Sequence, residues 1–257
     1  MLELNNICTV FNKGTVDEMT LFDNFNFKVN KGDFVSIVGS NGSGKTTMLN
    51  IICGNCMADS GTVIFKDRDI TKLSEHKRAR FIGRVFQDPK MGTCSNLTVL
   101  ENFALADNKN KPYSLTSAVN KKKVDYYREL LKACNMGLED RMNVPVGLLS
   151  GGQRQAIALV ISGMTKVDLL ILDEHTAALD PKSSETVMEL TDKLVKENGM
   201  TAVMVTHNLR FATQYGSRLI MMDKGNIILD KSGKEKQETQ IEDILKIFNE
   251  ISIECGN

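Results

Sequence analysis

Eight residues, Gly39-Ser40-Asn41-Gly42-Ser43-Gly44-Lys45-Thr46, fit the spacing G-x-x-x-x-G-K-[ST]. Glycines at 39, 42 and 44 let the backbone turn tightly and aim successive N–H groups into one concavity. An apolar run, Phe34–Val38, precedes them and a helical pattern opens near Gly44, so unpaired helix N–H groups and the positive end of a helix dipole face the same place. That chemistry suits phosphate. Lys45 is expected on the β and γ phosphates of a nucleotide, and the Thr46 hydroxyl on Mg²⁺. A second stretch, Val167-Asp168-Leu169-Leu170-Ile171-Leu172-Asp173-Glu174, is an apolar run ending in acid, the pattern of a buried parallel strand that delivers carboxylates. With a phosphate loop upstream, Asp173 is expected to hold Mg²⁺ through its water shell. Glu174 then orients and deprotonates the attacking water. Two features are ambiguous by themselves. Ser150-Gly151-Gly152-Gln153 has capping-box spacing, which fits an anion site at a helix start or merely a well-capped helix. Phe11 fits either an adenine-stacking face or a core position.

These groups need a scaffold, and the composition allows one. The 257 residues suit one large domain or two small ones. Apolar residues make up 42% and charged residues 25%, as in soluble globular proteins. Lys+Arg equals Asp+Glu at 32 each, so no global basic field points to nucleic acid. No apolar run reaches the length of a membrane span, and Met1-Leu2-Glu3-Leu4-Asn5 lacks a basic segment with an apolar core, so a cytoplasmic protein is expected. Alternation and runs predict strands over 2–11, 20–29, 34–38, 61–65, 81–86, 200–207, 218–222 and 226–229. A polar helical turn is expected at 74–80, and residues 91–164 read as a helical insertion, with helices over 97–105 and 124–136. An amphipathic helix is expected over 183–196 and a polar linker over 231–239. A terminal helix follows, with its apolar face at 241, 244, 245, 248 and 251. Lys121-Lys122-Lys123 reads as a solvated helix start. Of the cysteines at 8, 53, 56, 94, 134 and 255, only Cys53-Gly54-Asn55-Cys56 has C-x-x-C spacing; nothing completes a tetrahedral metal site, so the pair reads as structural.

In this order, Gly39–Thr46, Gln87, Leu149–Gln153, Leu172-Asp173-Glu174, Ala178-Leu179-Asp180 and His207 resemble the motifs of the nucleotide-binding subunits of ABC transporters, over roughly residues 2–230. The resemblance implies an α/β fold: a P-loop NTPase (RecA-like) core with an antiparallel β subdomain and a helical subdomain insertion. It implies a core of residues 1–90 and 165–230, a helical subdomain of 91–164, and a C-terminal linker and helix over 231–257. ATP and Mg²⁺ are the expected ligands. Ser40, Asn41, Gly42, Ser43, Gly44, Lys45, Thr46 and Thr47 would bind nucleotide, with Phe11 in the adenine-stacking position usually held by Tyr. Gln87 is implied as the residue that senses Mg²⁺ and the permease, His207 as the switch histidine at the γ-phosphate, and Asp180 as part of the D-loop. Ser150, Gly151, Gly152 and Gln153 would face the partner's ATP in a head-to-tail pair of copies or of paralogous cassettes.

The resemblance further implies ATP hydrolysis that drives a separate membrane permease from the inner face of the cell membrane. Gly14-Thr15, Glu18, Glu75–Ala79 and Gly83–Pro89 are similar to cassettes of bacterial small-solute importers, above all a group linked with aromatic amino-acid uptake, which would add an extracytoplasmic binding protein. An exporter cassette is the alternative. An ABC ATPase acting on nucleic acid or ribosomes would carry long coiled coils, zinc insertions or two cassettes, and none is present. One residue departs from the pattern: His175 stands where Pro commonly follows the glutamate. The segment Gln87–Asn102, with Met91, Leu97 and Val99, is expected to be partly exposed and to receive the permease.

Overall fold

The computed structural model describes residues 1–109, 111, 117–165 and 167–254, the side chains of 251–254 excepted. Cys255 therefore lies outside the described residues. The chain begins with β1 (Leu2–Phe11), β2 (Met19–Val29), β3 (Phe34–Gly39), α1 (Lys45–Cys53), β4 (Ser60–Phe65), β5 (Arg68–Asp69), α2 (Glu75–Arg78) and β6 (Ile82–Val85). It continues with α3 (Val99–Asp107), α4 (Val124–Lys132), α5 (Gly151–Met164), β7 (Leu169–Asp173), α6 (Pro181–Glu197) and β8 (Thr201–Val205). The last elements are α7 (Leu209–Gln214), β9 (Arg218–Asp223), β10 (Asn226–Ser232), α8 (Gly233–Glu238) and α9 (Ile241–Glu254). Two compact units result, one made of residues 1–79 and those from 201 onward, the other of residues 80–200.

In the first unit β1 pairs antiparallel with β2 and β4, and β5 extends the sheet beside β4. Alternating burial along β1, with Leu2, Leu4, Ile7 and Thr9 inside, is what a sheet with one packed face requires. The same unit holds β3 between β8 and β9, both parallel to it, with β10 antiparallel beyond β9. Every residue of β3 and β8 is buried, which explains why those segments read as continuous apolar runs rather than alternations. Ile244 of α9 is fully buried against Val38, Ala212, Leu219 and Met221, with Phe248 packed beside it. Leu245 remains 45% exposed, so the buried stripe is narrower than its sequence suggested.

Residues 231–239 are not a linker. They finish β10 and form α8, because Lys236 is 3% exposed and its ammonium donates to the carbonyls of Thr213 and Tyr215 at the end of α7. Burial lowers the pKa of that lysine, and the two carbonyls are what it gains in return.

The second unit is built on β6 and β7, a parallel pair in which Val85 lies opposite Leu172. Leu169, Leu170, Ile171 and Leu172 are all 0% exposed. Helix α5 packs on α3, α4, α6 and β6. Both α3 and α5 begin with a capping box, Thr98 with Glu101 and Ser150 with Gln153. Ser150 is thus the N-cap that its spacing with Gln153 predicts. Met91 is 69% exposed and Leu97 half-buried, as a partly exposed segment requires, but Val99 is 0% exposed and leaves the expected surface. Val99 is the first residue of α3, and its N–H donates to Val144 O at 3.1 Å. Lys123 is less solvated than its run suggested, since it pairs with Asp107 at 2.6 Å.

Candidate functional site

In the first unit the phosphate-loop residues run directly from buried β3 into α1. Gly44 is the N-cap of α1 with φ +100, and a Cβ there would lie 2.8 Å from the Phe22 ring. Only glycine tolerates both the left-handed backbone and that approach. Lys45 is 5% exposed and donates to Gly39 O at 2.9 Å, Ser40 O at 2.7 Å and Ser43 Oγ at 3.2 Å. Its ammonium therefore lies against the loop itself. Ser40, Asn41, Gly42 and Thr46 are exposed, Thr47 is half-buried, and Ser43 and Gly44 are buried. The end of β9 and the turn after it brace the loop: Ser40 Oγ donates to Asp223 Oδ1 at 2.7 Å, and Gly225 N–H donates to Ser43 O at 3.1 Å. Asp223 gave no sign of this in the sequence, because its partner is 183 residues away.

His207 is exposed just beyond β8, where Thr206 N–H still donates to Ile37 O of the neighbouring strand. Asn208 then starts α7 by accepting from Phe211 N–H. Phe11 ends β1 opposite Met19 and is 36% exposed, so it is a surface aromatic and not a core one.

In the second unit β7 ends at Asp173, half-buried, and Glu174 follows with φ +46. A left-handed glutamate costs backbone energy of about 1–3 kcal/mol, a strain that clusters at functional positions. His175 is 2% exposed, with Nε2 3.0 Å from Thr191 Oγ1. The Thr191 hydroxyl donates to Val187 O at 2.7 Å, so the imidazole carries its proton on Nε2 and donates it to Thr191. Burial pushes the His175 pKa down to about 4, which keeps the ring neutral. A restored N–H and a buried hydrogen-bonded ring thus replace the usual Pro.

Gln87 is exposed after β6, and the carbonyl just before it, Phe86 O, accepts from Gln155 Nε2 of α5 at 2.9 Å. Gly152 at the start of α5 is buried, and a Cβ there would lie 2.8 Å from Ser183 Cβ on α6. That glycine is needed for helix packing as well as for any anion. Asp180 caps α6, accepting from Ser183 N–H at 3.1 Å, and these bonds to Ser183 lower its pKa. Gly151 is half-buried and Ser150 and Gln153 stand at the helix start.

Two cations escaped sequence reasoning. Arg84 lies inside β6 and pairs with Asp173 at 2.6 Å; Arg78, the last residue of α2, is buried with its guanidinium on the last carbonyls of α1. An arginine within an apolar strand was the available signal for the first. Cys53 is buried and Cys56 half-buried, and the two are not joined by a disulfide.

A family model described as ABC transporter matches residues 22–177. The chain belongs to the ABC transporter family. It is 45% identical to a tyrosine transport ATP-binding protein of Clostridioides difficile strain R20291, over 96% of this chain and 98% of that one. It is 29% identical to the phosphonates import ATP-binding protein PhnC of Fusobacterium nucleatum, over 89% and 92%. It is also 32% identical to the macrolide export ATP-binding/permease protein MacB of Pasteurella multocida, but spans only 34% of that protein. Among solved structures, the dimeric post-hydrolysis state of the ATP-binding cassette MJ0796 bound to ADP and Pi superposes with a TM-score of 0.76 at 31% identity, covering 90% of this chain and 98% of that one.

This chain is therefore an ABC-type ATPase subunit with the α/β ABC ATPase fold, and it binds adenine nucleotide. Cassettes of the family dimerise and work with membrane permease components. Among the described residues no helix is long and apolar enough to cross a membrane. Each unit carries hard oxygen groups of the kind magnesium takes, the Thr46 hydroxyl in the first and the Gln87 amide and Asp173 carboxylate in the second.

Proposed function

We propose that this chain powers the import of a small solute, an aromatic amino acid such as tyrosine, as one of two identical subunits on the inner face of the cell membrane. The 45% identity with the tyrosine transport ATP-binding protein, end to end on both chains, carries this reading. The exporter relative matches this chain with only a third of its length, which favours it less. An extracytoplasmic binding protein would deliver the solute to the permease. Residues 1–90 and 165–230 are proposed as the catalytic core, 91–164 as the helical subdomain that meets the permease, and 231–257 as a C-terminal extension.

In the proposed reaction Lys45 and the N–H groups of Ser40–Thr47 hold the β and γ phosphates, and Phe11 stacks on the adenine. Thr46, Gln87 and Asp173 would hold magnesium, whose charge offsets that of the phosphate oxygens when it is bound. Glu174 takes a proton from water as the water oxygen bonds to the γ-phosphorus. The bond to the β–γ bridging oxygen breaks, giving ADP and inorganic phosphate. His207 contacts the γ-phosphate, and Ser150, Gly151, Gly152 and Gln153 bind the ATP held by the partner, with Asp180 beside the dimer interface. The left-handed backbone of Glu174 supports its role, since such strain persists where function needs it.

Glu174→Gln removes the proton acceptor and keeps the size. ATP turnover should fall by at least ~10²-fold while nucleotide affinity stays within a factor of about two. Unchanged turnover would remove Glu174 from the role of base. Uptake of labelled tyrosine by cells lacking the gene, restored by the parent and not by Glu174→Gln, tests the solute; restored efflux instead would make the chain an exporter cassette.

A further inference from the structure

Asp173, the carboxylate that the proposed function assigns to magnesium, does not stand alone. Arg84 reaches across from β6 and places Nη2 2.6 Å from Asp173 Oδ2. Both side chains are nearly enclosed, Arg84 at 12% and Asp173 at 13% exposure. Arg84 is held on its other side by the Phe86 ring, whose centroid is 4.8 Å from the guanidinium carbon. The two strands pair in parallel, with Arg84 opposite Ile171 and Val85 opposite Leu172, so the pair is built into the register of the sheet. Its neighbours along β6, Gly83 and Val85, are buried. A charge in such a strand is kept only if it is paired.

We propose that Arg84 is a positioning residue for the nucleotide reaction, fixing the Asp173 carboxylate through Oδ2 and lowering the affinity of that carboxylate for magnesium. The inference rests on Asp173 being a magnesium carboxylate. With Oδ2 taken by Arg84, Oδ1 is the oxygen that a hydrated cation can use. The guanidinium is a permanent positive charge within a few ångströms of it, and it repels a divalent ion. At the screening typical of a protein surface, such a charge changes affinity by about tenfold or more. The rigid fork also holds the carboxylate in one orientation, which a lysine would do less well. The site thus takes up its metal weakly, as part of a metal–nucleotide complex, and has little hold on the metal alone.

The test is a magnesium titration of the full-length protein with a fluorescent, non-hydrolysable ATP analogue, read as the magnesium concentration that gives half the maximal binding. Arg84→Met keeps the length of the side chain and removes its charge, and should lower that midpoint about tenfold. Arg84→Lys keeps the charge and should leave the midpoint within about twofold. Asp173→Asn should raise it, and adding Arg84→Met to Asp173→Asn should lower it by less than Arg84→Met does in the parent. Magnesium should also raise the unfolding temperature of Arg84→Met more than that of the parent. A midpoint in folded Arg84→Met equal to or above the parent's would overturn the inference, while a raised midpoint in Asp173→Asn leaves the assignment of Asp173 standing. An unchanged midpoint in Asp173→Asn would overturn both. Should Arg84→Met fail to fold, Arg84→Gln carries the same measurement with the same two outcomes.

Discussion

Arg78 offers the sharpest test of how the phosphate-loop helix is held. The residue is 1% exposed, and four carbonyls accept from its guanidinium: Ile51 O at 2.7 Å, Ile52 O at 3.0 Å, Thr71 O at 2.8 Å and Leu73 O at 2.8 Å. Ile51 and Ile52 lie in the last turn of α1, where carbonyls lack helical partners and the dipole favours a cation. Asn50 O, one residue earlier, is already taken by Gly54 and Asn55 N–H groups. Burial lowers the pKa of Arg78, a cost that these carbonyls offset. Arg78→Met keeps the apolar stem and strands the acceptors. The bonds to Thr71 and Leu73 are only partly buried and can be replaced by water, whereas those to Ile51 and Ile52 are buried. Two stranded buried carbonyls at about 1–3 kcal/mol each predict a loss of about 2–6 kcal/mol. For a protein whose whole stability is of order 5–15 kcal/mol, that is a large share. Equilibrium urea unfolding followed by circular dichroism measures it as a fall in midpoint at constant slope. Nucleotide affinity, measured where the variant is still folded, should fall as well, because α1 begins at Lys45. A loss below about 1 kcal/mol would refute the reasoning and show that the helix end is satisfied without Arg78.

Three other outcomes are expected. Lys45→Ala should weaken binding of a fluorescent ATP analogue by about 10–100-fold, the worth of one charge-assisted contact, and equal affinity would remove Lys45 from the phosphates. In the Glu174→Gln background, ATP should convert monomer to dimer in size-exclusion chromatography, and Ser150→Arg should block the conversion; a dimer indifferent to both ATP and Ser150 contradicts the head-to-tail pairing. Met91→Glu should abolish solute uptake in cells while the purified subunit keeps its basal ATPase within about twofold, since Met91 is exposed and its replacement leaves the core intact. Equal loss of both would show that Met91 supports the fold and does not meet the permease.

The sequence alone determined whatever depends on local spacing. The turn at Gly39–Thr46, the buried strands β3, β7 and β8, and the cap at Ser150 all follow from residues a few positions apart, because hydrogen-bond geometry and side-chain period act over that range. Those same local patterns carried the family and its ATPase chemistry. The tertiary structure decided what depends on partners remote in sequence. Arg84 meets Asp173 across 89 positions, and Ser40 meets Asp223 across 183. Lys236 turned a polar stretch into a helix by reaching the end of α7, and Val99 went inward while Met91 stayed out. No propensity or periodicity encodes such pairings, because only the folded chain brings the partners within reach; Arg84 and Lys236 are enclosed charges that had to find an acceptor there.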